Sequence, residues 1–238
     1  MKIIKNEKLI KRNNKIGKWV SLAGMVVIFA VAYFAFQALL NPETATGTSQ
    51  LFIYGGLIIG ILISQISMYF GNRWGQSPRP DEKLDVGLKG LPGDFVIYHW
   101  MTAVPHLLVG PSGIWVLIPY QLRGKVTYQK NRWRLTGGGF MQGYMRLFGQ
   151  EGIGRPELEA EAEIDAVRKA LAAQMEESEI PPIQAALVFT ADGIEIEAGD
   201  SPLPALPLKK LKEFMRNKAK EKPITVASLQ AVKGVLPE

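Results

Sequence analysis

Hydrolytic metal centres are built from carboxylates, so their distribution along the chain comes first. Between Phe95 and Gln150 there is no aspartate and no glutamate. The same window holds the most strand-like sequence in the protein, centred on His106-Leu-Leu-Val-Gly-Pro-Ser-Gly-Ile-Trp-Val-Leu-Ile118. A core without carboxylates cannot bind Mg²⁺ or Ca²⁺ through side-chain anions. The absence of cysteine excludes disulfides, Cys-ligated zinc and a thiol nucleophile. Only His99 and His106 supply imidazole. No GxSxG elbow, HExxH pair or Gly-rich dinucleotide turn accompanies them. No metal or cofactor is expected.

What the window does carry is positive charge. Arg123, Lys125, Lys130, Arg132, Arg134 and Arg146 give +6 with no acid among them, and Trp115, Tyr128 and Trp133 lie nearby. Basic side chains interleaved with aromatic rings could bind nucleic acid by charge and stacking, without cleaving it. The plainer reading is that Lys and Arg on strand edges keep sheets soluble and that tryptophans in strands are core. Downstream, Glu157, Glu159, Glu161 and Glu163 follow Pro156. A metal cluster is the sharp reading of these acids; a solvated helix start matched to the macrodipole is the favoured one.

These residues need elements to hold them. Asp81 is a fitting N-cap for a short helix through Leu88. Phe95–Met101, His106–Gly110 and Ile114–Ile118 are apolar runs of strand length, with Pro111-Ser112-Gly113 as a turn. Lys125–Lys130 and Arg132–Leu135 alternate as strands around Asn131. Gly137 to Gly154 reads as a loop, and it lacks the Gly-Lys-Ser/Thr of a phosphate cradle. The helix after Pro156 is expected to turn Leu158, Ala162, Val167, Ala170 and Leu171 inward. Ala185–Thr190 and Ile194–Ile196 read as strands and Leu208–Lys220 as a basic amphipathic helix. The order is that of an α/β domain.

Ahead of that domain the sequence changes character. Trp19–Leu40 and Leu51–Phe70 are uncharged runs of 22 and 20 residues, each long enough to cross a hydrocarbon core of about 30 Å at roughly 1.5 Å per residue. Residues 1–80 carry nine basic and two acidic side chains, against 19 and 20 in the rest. The net charge of +6 therefore belongs to the membrane flanks, and it is no argument for nucleic-acid binding. Seven basic residues precede the first run, none lies in Asn41–Gln50, and Arg73 and Arg79 follow the second. The positive-inside rule then places both termini and the α/β domain in the cytoplasm, at the inner face of the plasma membrane. The expected segments are a basic tail at 1–18, spans at 19–40 and 51–70, an external loop at 41–50, a linker at 71–80, the α/β domain at 81–220 and a C-terminal tail at 221–238. The basic tail should meet anionic head groups. Trp19, Tyr69 and Trp74 stand where interfacial anchors belong. Gly56 and Gly60 form a GxxxG pattern for close helix packing, within the hairpin or between copies of the chain.

From Asp81 to about Lys220 the chain resembles the nuclease-related domain (NERD) family, of membrane-anchored bacterial type. The resemblance rests on a leading helix with Glu82, the segment from His106 to Ile118, Gly124-Lys125-Val126, the helix after Pro156, and Leu187-Val188-Phe189 before a closing helix. It implies a restriction-endonuclease-like fold, a mixed sheet flanked by helices. It also implies a two-acid metal site with an Asp before the His of the second core strand and a Glu-x-Lys at the end of the third. Those positions fall on Pro105, Ile118 and Tyr120, so the site is degenerate; Glu82 is retained. The expected function is a membrane-anchored, catalytically inactive binding or scaffolding module. The alternatives are non-cleaving nucleic-acid binding through Arg123, Lys125, Lys130, Arg132 and Arg134, or a divergent metal-dependent nuclease.

Overall fold

The computed structural model describes residues 1–42, 47–137 and 152–237. It divides the chain into a helical unit, Glu7–Arg79, and an α/β unit made of Met1–Asn6 together with the chain from Pro80 onward.

The helical unit is a pair, α1 (Glu7–Leu40) and α2 (Gly47–Phe70), with one further π-type turn at Gly71–Gly75. Both helices are long and apolar enough to span a membrane. Their apolar side chains face outward: Phe29, Leu39 and Leu51 are all more than 70% exposed. An unsheathed surface of this kind suits lipid, since large apolar patches are avoided in water. The GxxxG pattern is used inside the hairpin. A Cβ on Gly56 would come within 2.3 Å of Val31 Cγ2, whereas one on Gly60 would meet Val27 at an ordinary 3.9 Å. Gly24 likewise lies against Ile63, at 3.0 Å from a built Cβ. Trp19 and Tyr69 are exposed as interfacial anchors would be, but Trp74 is not: it is 5% exposed, packed on the rings of Phe70 and Tyr69, and its carbonyl accepts from Asn14 Nδ2 at 2.6 Å.

The α/β unit is built on a six-stranded sheet ordered β1-β2-β3-β4-β7-β9. Its strands are β1 (Lys2–Lys5), β2 (Val96–His99), β3 (His106–Gly110), β4 (Gly113–Tyr120), β7 (Ile183–Phe189) and β9 (Ala205–Pro207). Only β3 runs against the others. β3 and β4 meet through a tight turn that closes Gly110 on Gly113, and Gly113 takes φ +100° there, which a side chain would resist. A second sheet, ordered β6-β5-β8, joins β5 (Lys125–Gln129), β6 (Arg132–Thr136) and β8 (Glu195–Glu197).

Alternation along the strands sends side chains to opposite faces. On one face Val109, Val116, Ile118, Leu187 and Phe189 pack with Val167 and Leu171 of α4 (Pro156–Ala172) and Leu229 and Val232 of α6 (Val226–Val235). On the other, Ile97, Leu108, Trp115, Leu117 and Val188 pack with Leu84 and Leu88 of α3 (Pro80–Leu88) and Leu211 and Met215 of α5 (Leu208–Glu221). The chain thus combines two long apolar helices near its N-terminus with a mixed α/β sheet domain.

Three expectations change. Residues 1–18 are not a tail: Lys2–Lys5 pair in parallel with Val96–His99, and the helix begins at Glu7. Four residues are too few to show a strand signal, and the pairing partner lies beyond the hairpin. Residues 221–238 are not a tail either. Thr225 caps α6 by accepting from Ser228 N–H at 3.1 Å, and burial of Leu229 and Val232 holds the helix on the sheet. On α4 the inward stripe is Pro156, Ala160, Val167 and Leu171, which rotates Leu158 out to 54% exposure and Ala162 with it. The Gly-rich loop expected at Gly137–Gly154, with Arg146, falls mostly in residues 138–151, outside the described residues.

Candidate functional site at the carboxyl ends of the strands

All strands of the large sheet except β3 end on the same side, where α/β folds usually gather their functional groups. The family-derived positions lie at this end. Pro105 immediately precedes β3, and its carbonyl accepts from Trp100 N–H at 2.9 Å. Ile118 is 4% exposed and belongs to the core beneath α4. Tyr120 donates its hydroxyl to Glu159 Oε2 at 2.6 Å and stacks on Phe189, with ring centroids 5.7 Å apart. Burial, reinforced by the bond to Glu159 and the charges of Glu159, Glu163 and Glu157, holds the Tyr120 phenol well above its ordinary range. The place where the resemblance implies Glu and Lys is filled by packed side chains. Glu82 sits half-buried in the first turn of α3.

On the opposite face of the same strand ends lies a polar cluster that sequence reasoning did not assemble. Asp81, Leu84, Asp85 and Leu88 share one stripe of α3, at the spacing that lines a single helix face. Two carboxylates are thereby turned toward the sheet along with the leucines. Lys5, the last residue of β1, binds Asp81 Oδ2 at 3.2 Å and also Asp85. The other oxygen of Asp85 meets His99 Nε2 at 3.0 Å, and His99 Nδ1 meets His106 Nδ1 at 2.8 Å. Asp81 and His99 are 0% exposed and His106 2%. Trp100, at φ +59°, lays its ring edge-on to His106 with centroids 5.0 Å apart. Burial opposes the charge on Lys5, but the bonds and charges of Asp85 and Asp81 outweigh it and hold the ammonium above its ordinary range. The ammonium stands between the two carboxylates. Among the described residues no group of three or more His, Cys, Asp or Glu side chains is arranged to hold a metal ion.

The acid-free window therefore borrows its acids. His99 takes Asp85 from α3, Tyr120 takes Glu159 from α4, Trp133 Nε1 donates to Glu157 of α4, and Lys125 binds Glu197 of β8 at 2.5 Å. The last pair holds the Lys125 amine above its ordinary range, through the bond to Glu197. The signal in the sequence was Asp81 and Asp85 on the leucine stripe of a helix, together with two histidines at strand ends.

The nucleic-acid candidates fall on the small sheet and its approach. Arg123, Lys130, Arg132 and Arg134 are exposed. Lys125 pairs across to Glu195 and Thr127 to Glu197, which sets two carboxylates among the basic residues. Trp115 is buried, with its indole donating to Ser112 carbonyl at 2.9 Å. Trp133 is buried against Tyr128, at 5.0 Å between centroids. Neither indole is offered to a base.

A separate cavity of about 450 Å³ opens between α4, the β2–β3 connection and the end of α6. Leu107, Val167, Leu171, Val235 and Leu236 line it, with Thr102 and Gln174 as its polar members. No charged side chain contributes to the lining.

Set against protein-family models, curated proteins and solved structures, the chain matches none.

Proposed function

We propose that this chain is a membrane-anchored α/β domain of nuclease-related (NERD) type, without nuclease activity, that serves as a cytoplasmic binding or scaffolding module. The observation that carries the reading is the filled strand end. Ile118 is core, Tyr120 is tied to Glu159 and stacked on Phe189, and neither supplies the anion or the ammonium that two-metal or one-metal hydrolysis requires. The cavity beside α4, of a size that suits small ligands, is where such a module would hold an uncharged, largely apolar one. The hairpin anchors the domain in the bilayer. Lys8, Lys11, Arg12, Lys15 and Lys18, on the opening turns of α1, face the anionic head groups of the cytoplasmic leaflet. With Gly56 occupied by Val31, self-association would use some other face of the hairpin.

The test is cleavage by the full-length chain in detergent, since removal of residues 1–79 would also remove β1. With Mg²⁺ or Mn²⁺ and DNA or RNA, no metal-dependent cleavage is expected. Robust cleavage abolished by Glu82→Ala would overturn the proposal.

Non-cleaving nucleic-acid binding is a second reading, favoured by the exposure of Arg123, Lys130, Arg132 and Arg134 and opposed by Glu195 and Glu197 beside them. It requires binding at low salt that weakens as salt rises and disappears in Arg132→Glu/Arg134→Glu.

A further inference from the structure

We propose that the cavity between α4, the β2–β3 connection and the end of α6 binds a small neutral alcohol, an apolar body with a hydroxyl head. The proposal rests on the binding-module reading given above and names the ligand of that module. Protein interiors are close-packed, with few voids larger than a water molecule. A cavity of about 450 Å³ beside the core departs from that rule and has the size of a small-ligand site. Its floor is the core itself: Leu107 of β3 with Val167 and Leu171 of α4, all buried. One wall is Val235 and Leu236 at the end of α6. Both are apolar and pack against the same core, yet they stay only half-buried. Ala103 and Ala170 also line the space, and their short side chains leave it open.

The chemistry of the lining sets the class of ligand. Among the described residues no acid or base takes part. Arg168 and Lys169, which follow Val167 on α4, are exposed, and Arg168 pairs with Asp165 at 2.9 Å. A charge buried without a partner is costly, so the lining selects against ionised ligands. A wholly apolar lining would take a plain hydrocarbon, but Thr102 and Gln174 interrupt it. Thr102 Oγ1 donates its one proton to the Val104 carbonyl at 3.0 Å, so what it offers a ligand is an acceptor. Gln174 Nε2 donates to the Ala170 carbonyl at 3.5 Å, which leaves the amide oxygen and one N–H for a ligand. A hydroxyl serves these groups, since it can donate to either oxygen and accept from the amide. A carboxylate brings a charge and no donor, an ammonium a charge and no acceptor, and an ether no donor.

The test uses the full-length chain in nanodiscs of zwitterionic lipid at neutral pH, with 1-octanol as the probe. The methyl signals of Val167, Leu171 and Val235 should shift saturably, while those of Leu84 and Leu88, on the other face of the sheet, should not move. Octanoate and octylammonium, of matching chain length, should bind on the order of tenfold more weakly. Heptyl methyl ether, the isomer of octanol without a donor, should bind several-fold more weakly. Ala170→Phe puts a ring into the cavity and should abolish the shifts, which separates binding from dissolution of octanol in the bilayer. A further arm carries monoolein in the disc instead of octanol. Shifts there support the alcohol as a lipid of the bilayer, and shifts with octanol alone support it as a free small molecule. Should Ala170→Phe fail to fold, Ala103→Cys takes its place, as the chain has no native cysteine. Octanol should then slow its reaction with a maleimide several-fold, and the charged probes should not. The proposal is overturned by octanol shifts that do not saturate or that persist in Ala170→Phe, by unslowed labelling of Ala103→Cys, or by equally tight binding of octanoate, octylammonium or the ether. None of these readouts depends on nuclease activity, so a negative result strikes the ligand and leaves the absence of cleavage standing.

Discussion

Lys5 is the residue whose removal should be felt most. Its ammonium compensates Asp81, which has no exposure, and Asp85, which has little. Leaving a buried carboxylate without its partner is strongly destabilising, so Lys5→Met should lower the stability of the α/β unit by on the order of 3 kcal/mol. Thermal unfolding in detergent would measure it. The pH dependence has a definite sign. Because folding raises the Lys5 pKa, its contribution is complete at neutral pH and is lost as pH climbs above about 10.4. The gap between wild type and Lys5→Met should therefore be constant through neutrality and close in strong alkali. None of this was legible residue by residue. Lys5 and Asp81 lie 76 positions apart with the whole hairpin between them, and a lysine in a basic N-terminal stretch looks like one more membrane-flanking charge. The absence of a carboxylate at Ile118 was legible, because the acid-free window offers none in any register.

At the scale of elements, periodicity served where segments were long or strongly apolar and failed where they were short. β3 and β4 follow the runs around the Pro111–Gly113 turn, and both apolar helices were evident from length alone. β1 and β9, of four and three residues, exist only because a neighbouring strand offers a ladder. The inward face of α4 was rotated from its expected setting because Ala160 and Ile164, rather than Leu158, meet the sheet side. The two glycines of α2 make a sharper prediction than their common motif suggests. Alanine is worth about 1 kcal/mol over glycine in a helix interior, so Gly60→Ala, with room for its methyl group, should be neutral or stabilising. Gly56→Ala drives a methyl into Val31, and overpacking of this kind costs roughly 1–3 kcal/mol. Resistance of the hairpin to unfolding in denaturing detergent should fall for Gly56→Ala only.

At the scale of the molecule, the hairpin is not an anchor placed ahead of a domain. It is an insertion within one, between β1 and α3. Both ends of the hairpin open into the same sheet unit, so a hairpin that crosses a membrane twice leaves the first residues and the α/β domain on one side of it. The absence of cysteine makes this arrangement directly measurable. Lys2, Asn41 and Lys130 are exposed and can each be replaced by a single cysteine, then probed with a membrane-impermeant maleimide in intact cells and in inverted membrane vesicles. The account predicts that Asn41→Cys is labelled from outside the cell, while Lys2→Cys and Lys130→Cys are labelled only in inverted vesicles. Labelling of Lys130→Cys in intact cells, or labelling of Lys2→Cys and Lys130→Cys from opposite sides, would contradict it.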